Sequence, residues 1–292
     1  MLKLPFYASM LDEGPLRANF IGIRELARLS ARDGNLKQID GDFSGALTAY
    51  LNAYAIGNQM YQGQTLISGM IGVLCEGIGL ANAEPTVSHL TAGQAREAAL
   101  RLESMLENRP TFAQILAREQ GGTSEMIRFY ASPQAQQEVW GKIPLVHVAN
   151  DLLIQRYQSI MQQNIEKAQR PYQEIKGIAD PEFASFDPAA IAIPNTRRAL
   201  MAYNYRTAKA HKLLLELALQ SYKSEHQGKF PAALATLVTA GYLKTLPTDL
   251  YAHDPSSPFH YYPITGKLWS VGANGLDEHG AGDDAMKELP TG

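Results

Sequence analysis

The feature that most restricts the fold of this chain is an apolar stretch, residues 65–81, that is hydrophobic on nearly every side of a helix. A helix of that kind is buried either in a protein core or in a membrane. The stretch is shorter than the ~18–20 residues that cross a bilayer and it contains Glu76, so we predict a buried central helix. Its four glycines lower helix propensity, and close packing against a neighbouring helix explains their presence.

Two further helices are predicted immediately before this stretch. Apolar residues recur three or four apart from Leu16 to Leu36 and again from Phe43 to Tyr54, with a break at residues 39–42. The second segment resembles the second half of a tetratricopeptide repeat at Gly41, Asp42, Phe43, Ala46, Tyr50 and Ala53. The resemblance covers about one repeat, which cannot bury its own face, and an ordinary antiparallel helix pair explains the pattern equally well.

Composition and charge exclude several classes of protein. The chain has 292 residues, 45% of them hydrophobic, which indicates a globular protein of one large domain or two domains. A net charge of −3 gives no global field that would attract nucleic acid or an anionic membrane surface. The single cysteine, Cys75, excludes an internal disulfide, and its apolar neighbours indicate a packed thiol.

The pattern along the chain predicts three parts. Helical periodicity continues to residue 176, so residues 1–176 are predicted to form an all-α, bundle-like domain. Residues 177–195 contain several prolines and small residues and indicate a linker. Residues 196–292 are predicted to form a small α+β domain, which makes the fold class α+β overall. Its predicted elements are a long helix (197–226), a short helix (232–240) and a hairpin (259–264 and 267–271).

Several motifs in the last third of the chain resemble the globular domain of the type II secretion major pseudopilin. In that family a long helix ends in Tyr-x4-Gly-x-Tyr/Phe-Pro, and a short helix and Leu-Pro-x-Asp follow. This chain has Tyr222, Gly228 and Pro231, with one residue more between Tyr222 and Gly228 than in the family, and then the motif that ends at Asp249. The sequence from Trp269 to Gly275, followed by Gly282-Asp283-Asp284, is similar to the family's loop after the hairpin. The resemblance covers residues 197–286 and implies a spine helix braced by a small sheet.

The chain departs from the family ahead of the long helix. Pseudopilins begin with a short leader and an apolar helix that carries a glutamate, whereas a helical domain precedes Thr196 here. A domain of that size would prevent the helix stacking that builds a pseudopilus. The arrangement resembles uncharacterised bacterial envelope proteins, which implies a periplasmic or cell-envelope location. In such proteins a leader or membrane anchor often comes first, so an upstream anchor is also an expectation.

The resemblance implies a calcium site in the loop after the hairpin. The family's pattern assigns Asn274, Asp283 and a carbonyl near Val271 as ligands, with Asp277 and Asp284 as additions. The residue types agree, because carboxylate, amide and carbonyl oxygens are the hard ligands that calcium takes. The family has Asp at the position of Asn274, so the predicted ligand set of this chain carries one negative charge fewer.

Two other interpretations of this region stay open. The loop is also compatible with a solvated acidic, glycine-rich tail that binds no metal. Three histidines near these carboxylates, His253, His260 and His279, make a transition-metal site a further alternative, although they lack the usual ligand spacing.

Two functions from different classes are compatible with these features. The first is a non-enzymatic envelope protein that binds other proteins through a helical surface and has a calcium-stabilised loop. The second is a hydrolase with a site between the two domains that uses Glu76, His89 or His147. The spacing of these three residues does not indicate a catalytic triad, and the sequence contains no GxSxG, P-loop or HExxH motif. The first function is therefore preferred.

Overall fold

The computed structural model describes residues 13–63, 65–131, 146–178 and 196–286, and this part of the chain is mostly helical. The α-helices are α1 (Glu13–Ile39), α2 (Phe43–Met60), α3 (Leu66–Leu80), α4 (Ala92–Glu107), α5 (Phe112–Ala131), α6 (Val146–Ala168), α7 (Tyr172–Ile175), α8 (Thr196–Glu225) and α9 (Ala235–Thr239). Two 3-10 helices, Glu84–His89 and Gly282–Ala285, and an antiparallel pair of strands, β1 (His260–Tyr262) and β2 (Lys267–Trp269), complete the described elements. The helix-rich α+β class is therefore confirmed, while residues 179–195 of the predicted linker lie outside the described part.

The apolar stretch forms α3, and glycines allow it to pack closely against α2. A Cβ placed on Gly57 of α2 would lie 2.5 Å from the carbonyl oxygen of Gly72 in α3. Two helix backbones can approach this closely only where side chains are absent. Glu76 is fully buried in the same helix, so the predicted buried helix is confirmed. Its outer side is an exception, because Ile67 and Leu74 are about half exposed.

The region Leu66–His89 meets the length and composition expected of a helix that crosses a membrane. More than half of its apolar part is buried inside the fold, as in the core helix of a globular protein. Among the described residues this is the sole stretch that meets those criteria, and it gives no clear membrane span.

The predicted break between the first two helices is present. Asp42 caps the N-terminus of α2, where its Oδ1 accepts the backbone N–H of Gly45 at 2.8 Å. The buried ring of Tyr50 packs against Gly34 of α1, where a Cβ would come within 2.6 Å of it. The two helices thus form a closely packed pair, and the likeness to a tetratricopeptide repeat stays a prediction.

Helix α8 begins at Thr196 and ends at Glu225, within one residue of the predicted bounds. It packs against α3, α4 and the first 3-10 helix. One hydrophobic core contains residues from both sides of the predicted linker, among them Leu102 of α4 and Leu214 of α8. The Ser221 hydroxyl also donates to the carbonyl oxygen of Ala92 at 3.0 Å. The division into domains at 1–176 and 196–292 stays a prediction.

The last part of the chain contains the short helix and hairpin in the predicted order. Helix α9 and both strands are shorter than predicted, and Tyr261 of β1 pairs with Leu268 of β2. Gly266 closes the hairpin with φ of +72°, a conformation that favours glycine. The ring of Phe230 covers this turn and leaves no room for a Cβ.

Candidate functional site

The predicted calcium loop, residues 270–286, is attached to the preceding turn by Asp249. This buried carboxylate accepts the backbone N–H of Val271 at 2.8 Å through Oδ2. Its Oδ1 accepts the Ser270 hydroxyl at 2.8 Å and the backbone N–H of Tyr251 at 3.0 Å. Burial raises the pKa of Asp249, and these hydrogen bonds act in the opposite direction. The last residue of the Leu-Pro-x-Asp motif therefore fixes the start of the loop.

Two of the predicted ligands, Val271 and Asn274, lie in the first part of the loop. The side-chain oxygen of Asn274 accepts the backbone N–H of Leu276 at 2.6 Å. The carbonyl oxygen of Asn274 accepts a hydrogen bond from the Lys176 ammonium at 2.8 Å. The loop is thus joined to the segment that follows α7.

The third predicted ligand, Asp277, is surrounded by hydrogen-bond donors. Its Oδ1 accepts the indole N–H of Trp269 and the backbone N–H of His279, both at 2.9 Å. These bonds lower the pKa of Asp277. Nδ1 of His260 lies 3.4 Å from Oδ2 of Asp277, and Nδ1 of His279 lies 3.6 Å from Oδ1. Within the described residues, however, no three His, Cys, Asp or Glu side chains are arranged to hold a metal ion.

Asp284 is the predicted ligand with the most unusual environment. Its side chain is fully buried, and Oδ2 accepts the backbone N–H groups of Glu278 at 2.6 Å and Gly280 at 3.2 Å. Oδ1 of Asp284 is also buried and has no hydrogen-bond partner. Buried oxygens are normally satisfied, and a hard cation is one group that satisfies a carboxylate. A carboxylate oxygen is among the ligand types that calcium takes. The side chain of Asp283, in the same 3-10 helix, lies outside the described part.

Glu76, a candidate of the hydrolase alternative, forms a buried ion pair with Arg109. Nε of Arg109 donates to Oε1 of Glu76, and Nη2 donates to Oε2, both at 2.7 Å. The Tyr61 hydroxyl donates to Oε2 at 2.8 Å, and Nη1 of Arg109 donates to the Thr207 hydroxyl. Both carboxylate oxygens are therefore used in a bidentate structural contact between α3 and the loop before α5.

Two tyrosine rings enclose the same guanidinium group. The central carbon of Arg109 lies 3.8 Å from the ring centre of Tyr203 and 5.0 Å from that of Tyr61. Burial alone would lower the pKa of Arg109, but the adjacent Glu76 carboxylate outweighs it and the pKa is raised. Arg109 is not among the candidate residues predicted from the sequence. The signal that could have revealed it was Glu76, since a carboxylate in a buried helix requires a cation nearby.

Of the other residues of the hydrolase alternative, His89 is not brought to Glu76. His89 is exposed and stacks on the ring of Phe43, with ring centres 3.8 Å apart. The side chain of His147 lies outside the described part of α6. Glu76 and His89 thus belong to different environments, one buried and one open to solvent.

A second group of ions joins α8 to the first 3-10 helix. The buried Lys212 ammonium donates to Oε1 of Glu84 at 2.7 Å and also to Glu216. Burial raises the pKa of Glu216 to about 7, although Lys212 opposes that shift. The first 3-10 helix covers Lys212 and removes its side chain from the solvent. The cluster is a structural link between the two parts of the chain.

Comparisons of the chain with protein-family models, with curated proteins and with solved structures found no match.

Proposed function

We propose that this chain is a non-enzymatic protein of the bacterial cell envelope that acts in the periplasm by binding other proteins and is related to type II secretion pseudopilins. The order of elements supports this proposal, since a long helix, a short helix, a hairpin and a glycine-rich loop follow one another over residues 196–286. The position of Asp249, at the end of a family motif and bonded to the loop, also supports it.

The observation that carries the binding role is a row of exposed apolar side chains on α1. Leu36 is 63% exposed and Ile39 is 81% exposed, and further members are Ile21, Leu26 and Leu29. They lie opposite Ala27 and Ala31, which are buried. Large apolar side chains grouped on one exposed surface are typical of protein-interaction sites. We therefore assign the outer face of α1 as the surface that binds a partner through apolar contacts.

The test of this role is site-specific crosslinking in cells. A photoreactive residue placed at position 29 or 36 should give a covalent adduct with another protein in the periplasmic or membrane fraction. The same residue at position 97, an exposed site on α4, serves as the control and should give none. Equal labelling from all three positions, or a protein found in the cytosol without adducts, would contradict the proposal.

We also infer that the loop binds calcium through the side chains of Asn274, Asp277, Asp283 and Asp284 and the carbonyl of Val271. A bound calcium ion supplies positive charge that offsets the repulsion among these carboxylates and fixes the loop. The partnerless buried oxygen of Asp284 supports this assignment. Because the loop is bonded to Asp249, the ion would stabilise the whole C-terminal part.

Thermal melts with millimolar calcium or with a chelator test this inference. Calcium at one hundred times its dissociation constant adds about 2.7 kcal/mol to stability. That gain corresponds to ~5–11 °C in Tm at ~2–4 °C per kcal/mol. Asp284→Asn should remove the shift, whereas the exposed Asp254→Asn should keep it. If the melting temperature of the native chain is the same in calcium and in chelator, the proposed calcium site is wrong.

A further inference from the structure

A row of charged residues on α8 extends the ion cluster around Lys212 toward the start of the helix. Arg206, Lys209, Lys212 and Glu216 follow one another at intervals of three or four residues, which places them on one face. Oε1 of Glu84, in the first 3-10 helix, lies 2.7 Å from Nζ of Lys212, and Oε2 lies 3.9 Å from Nζ of Lys209. The row contains no residue of the proposed α1 surface and no predicted calcium ligand, so it is a separate feature.

Arg206 is the unusual member of this row because its guanidinium group has no acceptor. Nε is buried without a hydrogen-bond partner, and in the described part of the chain no carboxylate pairs with this side chain. The group lies against the backbone of α3 at Gly77, where a Cβ would come within 2.6 Å of Cζ. The ring centre of Tyr205 lies 5.2 Å from the same carbon. Burial lowers the pKa of Arg206, as expected of a cation that has lost water and gained no acceptor.

Lys209, one helical turn further on, is in a similar environment. Within the described residues its ammonium group donates no hydrogen bond, and the carboxylate that it contacts is that of Glu84 at 3.9 Å. Glu84 is already bonded to Lys212 at the shorter distance. Burial lowers the pKa of Lys209 as well, although Glu84 opposes that shift. Arg206 and Lys209 are therefore two partly buried cations, neither of which has an acceptor of its own.

The acidic side chains nearby do not balance this charge. Glu216 is bonded to Lys212, and burial raises the pKa of Glu216 to about 7, so it is only partly ionised at neutral pH. Glu76, next to Gly77 in α3, has both of its oxygens bonded to Arg109. Among the described residues the row thus combines three cations with two carboxylates. Unbalanced charge is costly to bury, which indicates that an anion is missing from this position.

We propose that the row binds a phosphate group between Arg206 and Lys209. Residues three apart on a helix have Cβ atoms ~5–6 Å from each other, so both long side chains can reach the same phosphate. A guanidinium group donates paired hydrogen bonds to phosphate oxygens, and an ammonium group adds a compact charge. A phosphate carries up to two negative charges and matches the two cations without acceptors better than a carboxylate does. Glu84 is exposed and Arg206 and Lys209 are only partly buried, so the site can be reached from solvent.

Calorimetric titration of the full chain at about pH 7.5 tests this proposal with inorganic phosphate, glycerol 3-phosphate and acetate. Both phosphates should bind saturably at one site, at least about tenfold tighter than acetate. Sedimentation with phosphatidylcholine vesicles, with and without phosphatidic acid, tests a lipid headgroup as the source of the phosphate. Binding of the soluble phosphates assigns the site to a free ligand, and binding of the phosphatidic acid vesicles alone assigns it to a lipid. Binding in neither assay, or equal affinity for acetate, would overturn the proposal.

Two variants connect the binding to named residues. Arg206→Met keeps a long alkyl side chain and removes the donors, so it should weaken phosphate binding by about tenfold or more. Without phosphate its melting temperature should equal or exceed that of the native chain, because a buried unpaired group is gone. Lys209→Met should weaken phosphate binding severalfold. Lys229→Met, an exposed cation beyond the end of α8, is the matched control and should bind as the native chain does. Unchanged phosphate affinity in both Arg206→Met and Lys209→Met would show that this site is wrong.

Discussion

Replacing Arg109 with methionine would leave Glu76 as an unpaired carboxylate in the centre of the fold. The exposed fraction of Glu76 is 0% and that of Arg109 is 8%, so water cannot replace the lost partner. Removing one member of a buried ion pair costs about 3–5 kcal/mol. At ~2–4 °C per kcal/mol, the melting temperature should fall by ~6–20 °C. The Tyr61 and Thr207 hydroxyls lose a partner as well, which favours the upper half of this range.

A double-mutant cycle separates the ion pair from simple loss of packing. Glu76→Leu alone leaves Arg109 charged and buried, whereas the double variant with Arg109→Met leaves no charge in the core. We expect the double variant to cost less than the sum of the single variants by at least ~2 kcal/mol. Urea unfolding followed by circular dichroism gives the free energies of unfolding. Lys37→Met, which removes an exposed pair with Asp33, is the control and should cost below ~1 kcal/mol. Additive costs, or an Arg109→Met cost near that of the control, would refute the reasoning.

Two further predictions concern acid stability and helix contact. Burial lowers the pKa of His211 to about 4, with Nδ1 placed 3.1 Å from the carbonyl oxygen of Thr248. The unfolded chain binds this proton near pH 6.5, so up to about 3 kcal/mol of stability should be lost as the pH falls from about 6.5 to about 4. Urea unfolding across that range should show a flatter dependence for His211→Gln, and equal slopes would contradict the assignment. Gly57→Ala places a methyl group 2.5 Å from the Gly72 carbonyl oxygen and should cost ~1–3 kcal/mol. Gly93→Ala, where a Cβ has nothing within 4 Å, should be neutral or stabilising in the same denaturation assay.

The helical part of the fold could be predicted because each helix is specified by the pattern of residues within its own segment. An apolar stretch with four glycines specifies a buried, closely packed helix, and the contact of Gly57 with Gly72 bears this out. The cation that neutralises Glu76 could not be placed in this way. Arg109 lies 33 residues further along the chain, and nothing in its own neighbourhood distinguishes it from a surface arginine. Pairing across that distance is decided by how the helices pack.

The loop after the hairpin was predictable in its residue types but not in its internal bonds. A resemblance supplied the residues, while the directions of their side chains depend on backbone turns at positive φ, such as Gly275 at +77°. Asn274 and Asp277 consequently accept N–H groups from their own loop, which spacing alone does not indicate. Asp249 was recognised as part of a motif, and its role as the loop's anchor became visible only from its three hydrogen bonds.

The hydrophobic core that α4 and α8 form together has a consequence for folding during synthesis. Helix α4 completes its synthesis well before α8, yet its inward side chains, such as Leu102, are covered by α8. At ~5–20 residues per second, the ribosome needs on the order of ten seconds after α4 to complete the synthesis of α8. During this interval the apolar side chains of the first helices that α8 later buries are exposed to solvent. A chaperone that binds unfolded chains would bind them there. Truncated products that end before Thr196 should accordingly be captured and degraded rather than accumulate.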